Sequence, residues 1–446
     1  MGWTMPFFHK TDKALWRLAL PMIFSNITVP LLGLVDTAVI GHLDSPDYLA
    51  GVAVGATTTS FLFMLLLFLR MSTTGLTAQA WGAKDIPALA RALAQPMMLA
   101  LSAGVAIVAL RTPLIDLALH AVGGNENVLY QARRFLEIRW LSTPASLANL
   151  VLLGWLLGVQ YARAPVILLV VGNVLNITLD LWFVMGLGMN VRGAALATVI
   201  AEYGTLLVGL IMVFRVMRLR GIDIQLLKGA WRGNLRRLLA LNRDIMLRSL
   251  LLQICFASLT IYGARLGNDI VAVNAVLMTL LTFTAYALDG FAYAVEAYSG
   301  QAYGARNGGQ LLNLWHAACR QAGLVALCFA VIYACFGRYI IAVLTSLPEL
   351  RTLADHYLYW QVLLPVIGVW CYLLDGMFVG ATRGAEMRNS MAIAAAGFGL
   401  TLLTVPVLGN HGLWLALAVF LALRGLSLGW FWRQHWRNRS WFADVE

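Results

Sequence analysis

Four polar residues stand inside apolar runs of this 446-residue sequence: Asp36 in LLGLVDTAVIGHLD, Asn176 and Asp180 in NVLNITLD, and Thr198 in GAALATVIA. A carboxylate held in hydrocarbon is costly, so such acids mark ion or substrate pathways unless a partner neutralises them. Asn176 and Asp180 are four residues apart and project from one face of a helix. Two carboxylates, an amide and a hydroxyl gathered in a low-dielectric setting resist ionisation through desolvation and mutual repulsion, which suits them to take up protons or a small hard cation. For Asn176 or Thr198 alone, a hydrogen bond between helices explains the residue equally well. The two acids carry the inference.

Membrane-crossing helices must position these groups. The sequence is 60% hydrophobic and only 12% charged, with a mean hydropathy of +0.76, values that belong to a polytopic membrane protein. Apolar runs of about 20 residues predict twelve spans, from 15–42 to 411–432. An even number returns both termini to one side, and most of the 32 Lys and Arg residues lie on that side, so the termini are expected in the cytoplasm. Orientation accounts for the net charge of +11, and no soluble domain presents it to nucleic acid. The first apolar run is too long for a cleaved signal peptide. Arg133, Arg134 and Arg139 cluster on the opposite side, where an interfacial helix end is expected. Five cysteines and seven histidines lack ligand spacing, so neither a metal site nor a disulfide framework is predicted.

By helical rise, Asp36, Asp180 and Thr198 each lie about seven residues, or roughly 10 Å, below the periplasmic surface. Pro21 and Pro30 precede Asp36 in the first helix and can bend it.

The sequence also contains two copies of one unit. TAQAWGAKD at 77–85 matches SGQAYGARN at 299–307, and the same 222-residue spacing pairs Gly41 with Gly263, Asp47 with Asp269 and Gly158 with Gly380. The predicted fold is all-α, with twelve transmembrane helices in two six-helix lobes related by a pseudo-twofold axis along the membrane normal. The N-terminal lobe is placed at 1–217, a basic cytoplasmic linker at 218–242, the C-terminal lobe at 243–432 and a cytoplasmic tail at 433–446. The linker is expected on anionic headgroups, and the tail, with RQHWRNRSWF, as an interfacial anchor. Ser258 stands opposite Asp36 at that spacing, so the polar set belongs to the N-terminal lobe.

The C-terminal lobe carries Asp289, Glu296, Asp375 and Arg424 within its spans. A second relay is open, and so is a pairing of Asp375 or Asp289 with Arg424 that only neutralises buried charge. Glu296, close to the predicted cytoplasmic end, reads as solvated or capping. Met64, Met278, Tyr286 and Tyr293 offer a soft wall for a substrate cavity, or ordinary packing.

Through PLLGLVDTAVIGHL, the two repeated motifs and LLDGMFVGATRGAEMRNS, the sequence resembles the multidrug and toxic compound extrusion (MATE) family, in its DinF branch, over essentially its whole length. The resemblance implies a bacterial inner-membrane antiporter that exports organic, often cationic or amphipathic compounds against a proton or sodium gradient. It implies coupling roles for Asp36, Asn176, Asp180 and Thr198, and a first-helix bend at Pro21, with Pro30 as second candidate. The NorM branch instead places its acids on helices seven and ten; the seventh predicted span has no acid, so a complete site of that type is not expected. Protons are the preferred coupling ion, because two nearby carboxylates titrate as a coupled pair; sodium stays open. No cofactor or obligatory protein partner is implied, and a monomer in contact with membrane lipids is expected. A flippase for lipid-like amphiphiles is the alternative transport reading. An enzyme is not expected, since no nucleophile with its base and no DDxxD motif stands at the cytosolic boundary.

Overall fold

The computed structural model describes residues 10–41, 46–233 and 235–442, with the backbone alone at 29–38, 41 and 46. Regular structure among the described residues is helical throughout, as hydrocarbon requires of a spanning chain that must satisfy its own backbone. Ten helices among them are long and apolar enough to cross a membrane: the second (Asp47–Gly82), third (Ile86–Ala109), fourth (Glu126–Gly158), fifth (Ala164–Gly186), sixth (Asn190–Leu219), seventh (Arg236–Arg265), eighth (Asn268–Gly304), ninth (Gly308–Leu344), tenth (Pro348–Gly380) and twelfth (Asn410–Arg437). The other two predicted spans are also helical. The first helix is Lys10–Gly41, and the eleventh is Gly384–Leu402, whose opening turns hold Glu386, Arg388 and Asn389.

The chain forms two compact units, one of Ile27–Leu239 and the other of residues 10–26 with 240–442. The first helix therefore divides between units, where the sequence reading placed it whole in the N-terminal lobe. Asp12 supplies a reason: it is fully buried, and Arg320 of the ninth helix donates to both its carboxylate oxygens at 3.2 Å. The nearby Trp16 indole donates to Gln321 at 2.9 Å and meets Phe291 edge-on.

The sequence repeat recurs as local geometry. Lys84 and Arg306, 222 residues apart, both take left-handed backbone angles, with φ of 56° and 52°. The following residues, Asp85 and Asn307, both cap the next helix, accepting from Ala88 N at 3.2 Å and Gln310 N at 3.1 Å. The packing repeats as well. A Cβ at Gly154 would lie 2.7 Å from the Arg70 carbonyl oxygen, and one at Gly376 would lie 2.7 Å from that of Ala292. Each unit thus brings two backbones together where only hydrogen fits, the small-residue contact that membrane helices use in place of a hydrophobic drive.

One expectation about charged segments changes, and the linker shows contacts within the protein. The tail does not act as an interfacial anchor at its end, because Trp441 is only 2% exposed, stacked edge-on against Phe378 and Trp432. Arg383 fastens it by donating to the carbonyls of Ser440 and Trp441 at 3.0 and 2.6 Å. In the linker, Arg220 lies over the Trp81 ring and Arg237 donates to Gln79 at 3.0 Å, so these guanidiniums hold the TAQAWGAKD turn. Arg133, Arg134 and Arg139 also find protein partners: Arg133 pairs with Asp116, while Arg134 and Arg139 stack on Tyr130 and Phe63.

Replacing Gly376 by Val should cost about 1–3 kcal/mol, since the new methyl groups meet backbone that cannot yield. Thermal unfolding in detergent should show a clear loss for this variant and little for Gly399→Val, whose site has open space.

Candidate functional site

The fifth helix is α-helical from Ala164 to Asp180 and then widens to a π-helical turn over Leu181–Gly186, closed by Leu187 N donating to Trp182 O at 2.9 Å. Such turns arise where a residue is inserted into the ladder and recur at functional sites. Asp180 sits at the junction, 1% exposed. Asn176, one turn inward on the same face, accepts a hydrogen bond at 3.3 Å from the Thr198 hydroxyl of the sixth helix. That hydroxyl also lies 3.1 Å from the Ala194 carbonyl.

Three of the four residues singled out from the sequence are therefore brought to one place in the Ile27–Leu239 unit. Asp36 lies on the helical backbone of Lys10–Gly41, and its side chain, like that of Pro30, is outside the described residues. The backbone is helical through both Pro21 and Pro30. The oxygen atoms of Asp180, Asn176 and Thr198 suit a proton or a hard cation such as sodium.

A fifth polar residue was missed. Glu202 lies one turn inward of Thr198 on the sixth helix, and Asn149 Nδ2 of the fourth helix donates to its Oε2 at 3.1 Å and to its carbonyl at 3.2 Å. Its depth, twelve residues past the start of the helix, was the available signal. Arg70 is another buried charge, 3% exposed in the second helix, with Nη1 3.3 Å from the Thr74 hydroxyl.

In the unit of residues 10–26 and 240–442, Asp375 of the tenth helix receives Arg424 Nη2 of the twelfth at 2.6 Å. Asp375 and Arg424 thus form an ion pair, and among the described residues none is found between Asp289 of the eighth helix and Arg424. Arg248 of the seventh helix bonds the same carboxylate oxygen and was not foreseen, because the helix starts at Arg236 and so carries Arg248 deep rather than at its edge. The Arg424 guanidinium is further held near the Phe420 and Tyr372 rings. Glu296 is buried, not solvated: its helix continues to Gly304, leaving it roughly 12 Å inside the end.

The aromatic and methionine set is dispersed. Met64 is 49% exposed, Met278 packs against the buried cluster around Leu277 and Leu281, and Tyr286 and Tyr293 are half-buried. A cavity of about 470 Å³ in the Ile27–Leu239 unit contains none of the four; Met97, Met98, Phe214 and Trp231 are among its walls.

The family model for MatE matches this chain twice, at residues 21–182 and 245–408. The DNA damage-inducible protein F of Escherichia coli K12 is 78% identical over 439 residues, covering 98% of this chain and 96% of that protein. The probable multidrug resistance protein NorM of Acinetobacter baylyi is 25% identical over 426 residues, 92% of this chain and 93% of that one. Among solved structures, a crystal structure of MATE in the bent conformation superposes with a TM-score of 0.87 at 22% identity, over 98% of both chains.

Asp375→Ala would leave two buried guanidiniums without their shared carboxylate and should destabilise the protein by about 3–5 kcal/mol. A melting series against Asp269→Ala, at the exposed start of the eighth helix, checks this.

Proposed function

This chain belongs to the MatE family, and on that premise we propose that it is a secondary active transporter exporting organic, often cationic or amphipathic compounds by proton antiport. The observation that carries the reading is the Asn176 and Thr198 hydrogen bond one helical turn from the buried Asp180. Twelve spans form two six-helix lobes related by a pseudo-twofold axis, a reading supported by the family's double match and the repeated turn and glycine geometry. The protein works as a monomer in the bacterial inner membrane, with both termini cytoplasmic.

In the outward-open state, protons load Asp36 and Asp180, with Asn176 and Thr198 holding the carboxyl groups in place. Neutralising a carboxylate removes its desolvation cost and its repulsion of a neighbouring acid. The loaded site then favours a different bend of the first helix near Pro21 or Pro30, and the substrate leaves. Reopening inward exposes the acids to the cytoplasm, where the protons dissociate. Sodium fits the same oxygen ligands and is the alternative coupling ion.

In proteoliposomes, export driven by an inward-directed proton gradient should fall to background for Asp36→Asn and for Asp180→Asn. Unimpaired export in both would remove the reading. A proton ionophore should abolish export by the wild type while sodium removal leaves it intact; the opposite pattern assigns sodium. Movement of lipid-like amphiphiles with no movement of soluble cations would instead favour a flippase.

A further inference from the structure

The four-residue set ends at Thr198, but the polar side chains continue inward. Asp180 lies one turn from Asn176, Asn176 accepts from Thr198 at 3.3 Å, Thr198 lies one turn from Glu202, and Glu202 accepts from Asn149 at 3.1 Å. Helical turns and hydrogen bonds alternate to make a ladder across the fifth, sixth and fourth helices. By helical rise, Asp180 is roughly 10 Å from the outer end and Glu202 roughly 18 Å, near the middle of a hydrocarbon layer about 30 Å thick.

Among the described residues, no cation is ion-paired with Glu202. On the sixth helix the nearest charges are Arg192 and Arg215, about three turns away in either direction. The elements packed against that helix carry Asp180 on the fifth, Asp47 and Arg70 on the second, Glu126, Arg133, Arg134, Glu137 and Arg139 in the first turns of the fourth, and Asp223 beside the linker turn. None of these pairs with Glu202, whose bonds among the described residues are those from Asn149. A neutral amide can donate to a carboxyl group in either protonation state, but it does not offset the cost of a charge at that depth.

We propose that Glu202 is an inner proton site of the transport cycle, an inference that rests on the proton-coupled export reading. The Asp180 O–H bond breaks, the proton passes to the Glu202 carboxylate, and Asp180 is left ionised and ready to reload from outside. Glu202 then releases the same proton to water on the cytoplasmic side and returns to its starting state. Thr198, the one side-chain hydroxyl on the ladder between the two acids, positions the handover. Asn149 is a positioning residue that keeps the Glu202 carboxyl on the ladder side of the sixth helix.

Two measurements on the full-length protein in liposomes test the assignment. Infrared difference spectra between acidic and alkaline buffer report protonated carboxyl C=O groups; Glu202→Gln should remove part of the wild-type signal, and a different part from that lost in Asp180→Asn. An unchanged carboxyl signal in Glu202→Gln overturns the proposal. In the second, ethidium efflux is followed with and without an imposed proton gradient. The ratio of gradient-driven to downhill efflux should fall roughly a hundredfold in Glu202→Gln and recover substantially in Glu202→Asp. Equal slowing of both modes, the result of a packing role, also overturns it. A wild type with no gradient-driven efflux fails the export reading itself, whereas a coupled wild type with an equally coupled Glu202→Gln fails only the inner site.

Discussion

Burying a charge in hydrocarbon costs several kcal/mol unless something within the protein compensates it, and the interior of this protein is arranged around that cost. The unit of residues 10–26 and 240–442 meets it with guanidiniums. Asp12 is gripped by Arg320, and Asp375 is shared by Arg248 and Arg424. Each is a charge-assisted contact that locks two or three helices together.

The Ile27–Leu239 unit uses amides and hydroxyls along its polar ladder. Thr198 donates to Asn176, and Asn149 donates to Glu202. Neutral partners orient a carboxyl without bringing a charge of their own. The π-helical turn beginning directly after Asp180 adds a local irregularity where the ladder meets the C-terminal end of the fifth helix.

The same scaffold supports both solutions. Gly154 over Arg70 and Gly376 over Ala292 are the same close contact, and the turns at Lys84 and Arg306 share one backbone geometry. Backbone contact of this kind constrains residue size at a few positions and leaves the neighbouring side chains free to diverge. At the 222-residue spacing, Arg248 stands opposite Asn26, which donates to the Tyr286 carbonyl at 3.2 Å, and Ser258 stands opposite Asp36. Each copy therefore carries a charge at a position where the other has an uncharged hydrogen-bonding group.

The sequence by itself determined the helical class, the approximate placement of the long helices, the internal repeat and the grouping of Asn176, Asp180 and Thr198. All of these follow from the length of apolar runs, from a fixed residue spacing, or from helical rise along single segments. Only the tertiary structure decided the partners, because a partner comes from another helix at a rotation that periodicity does not specify. That is why Arg248 joined Arg424 on Asp375, why Glu202 met Asn149, and why Asp12 in the first helix found Arg320 some three hundred residues later. The tail shows the same limit: Trp and Arg residues suit a membrane interface and a protein pocket alike, and Arg383 with Phe378 and Trp432 chose the pocket.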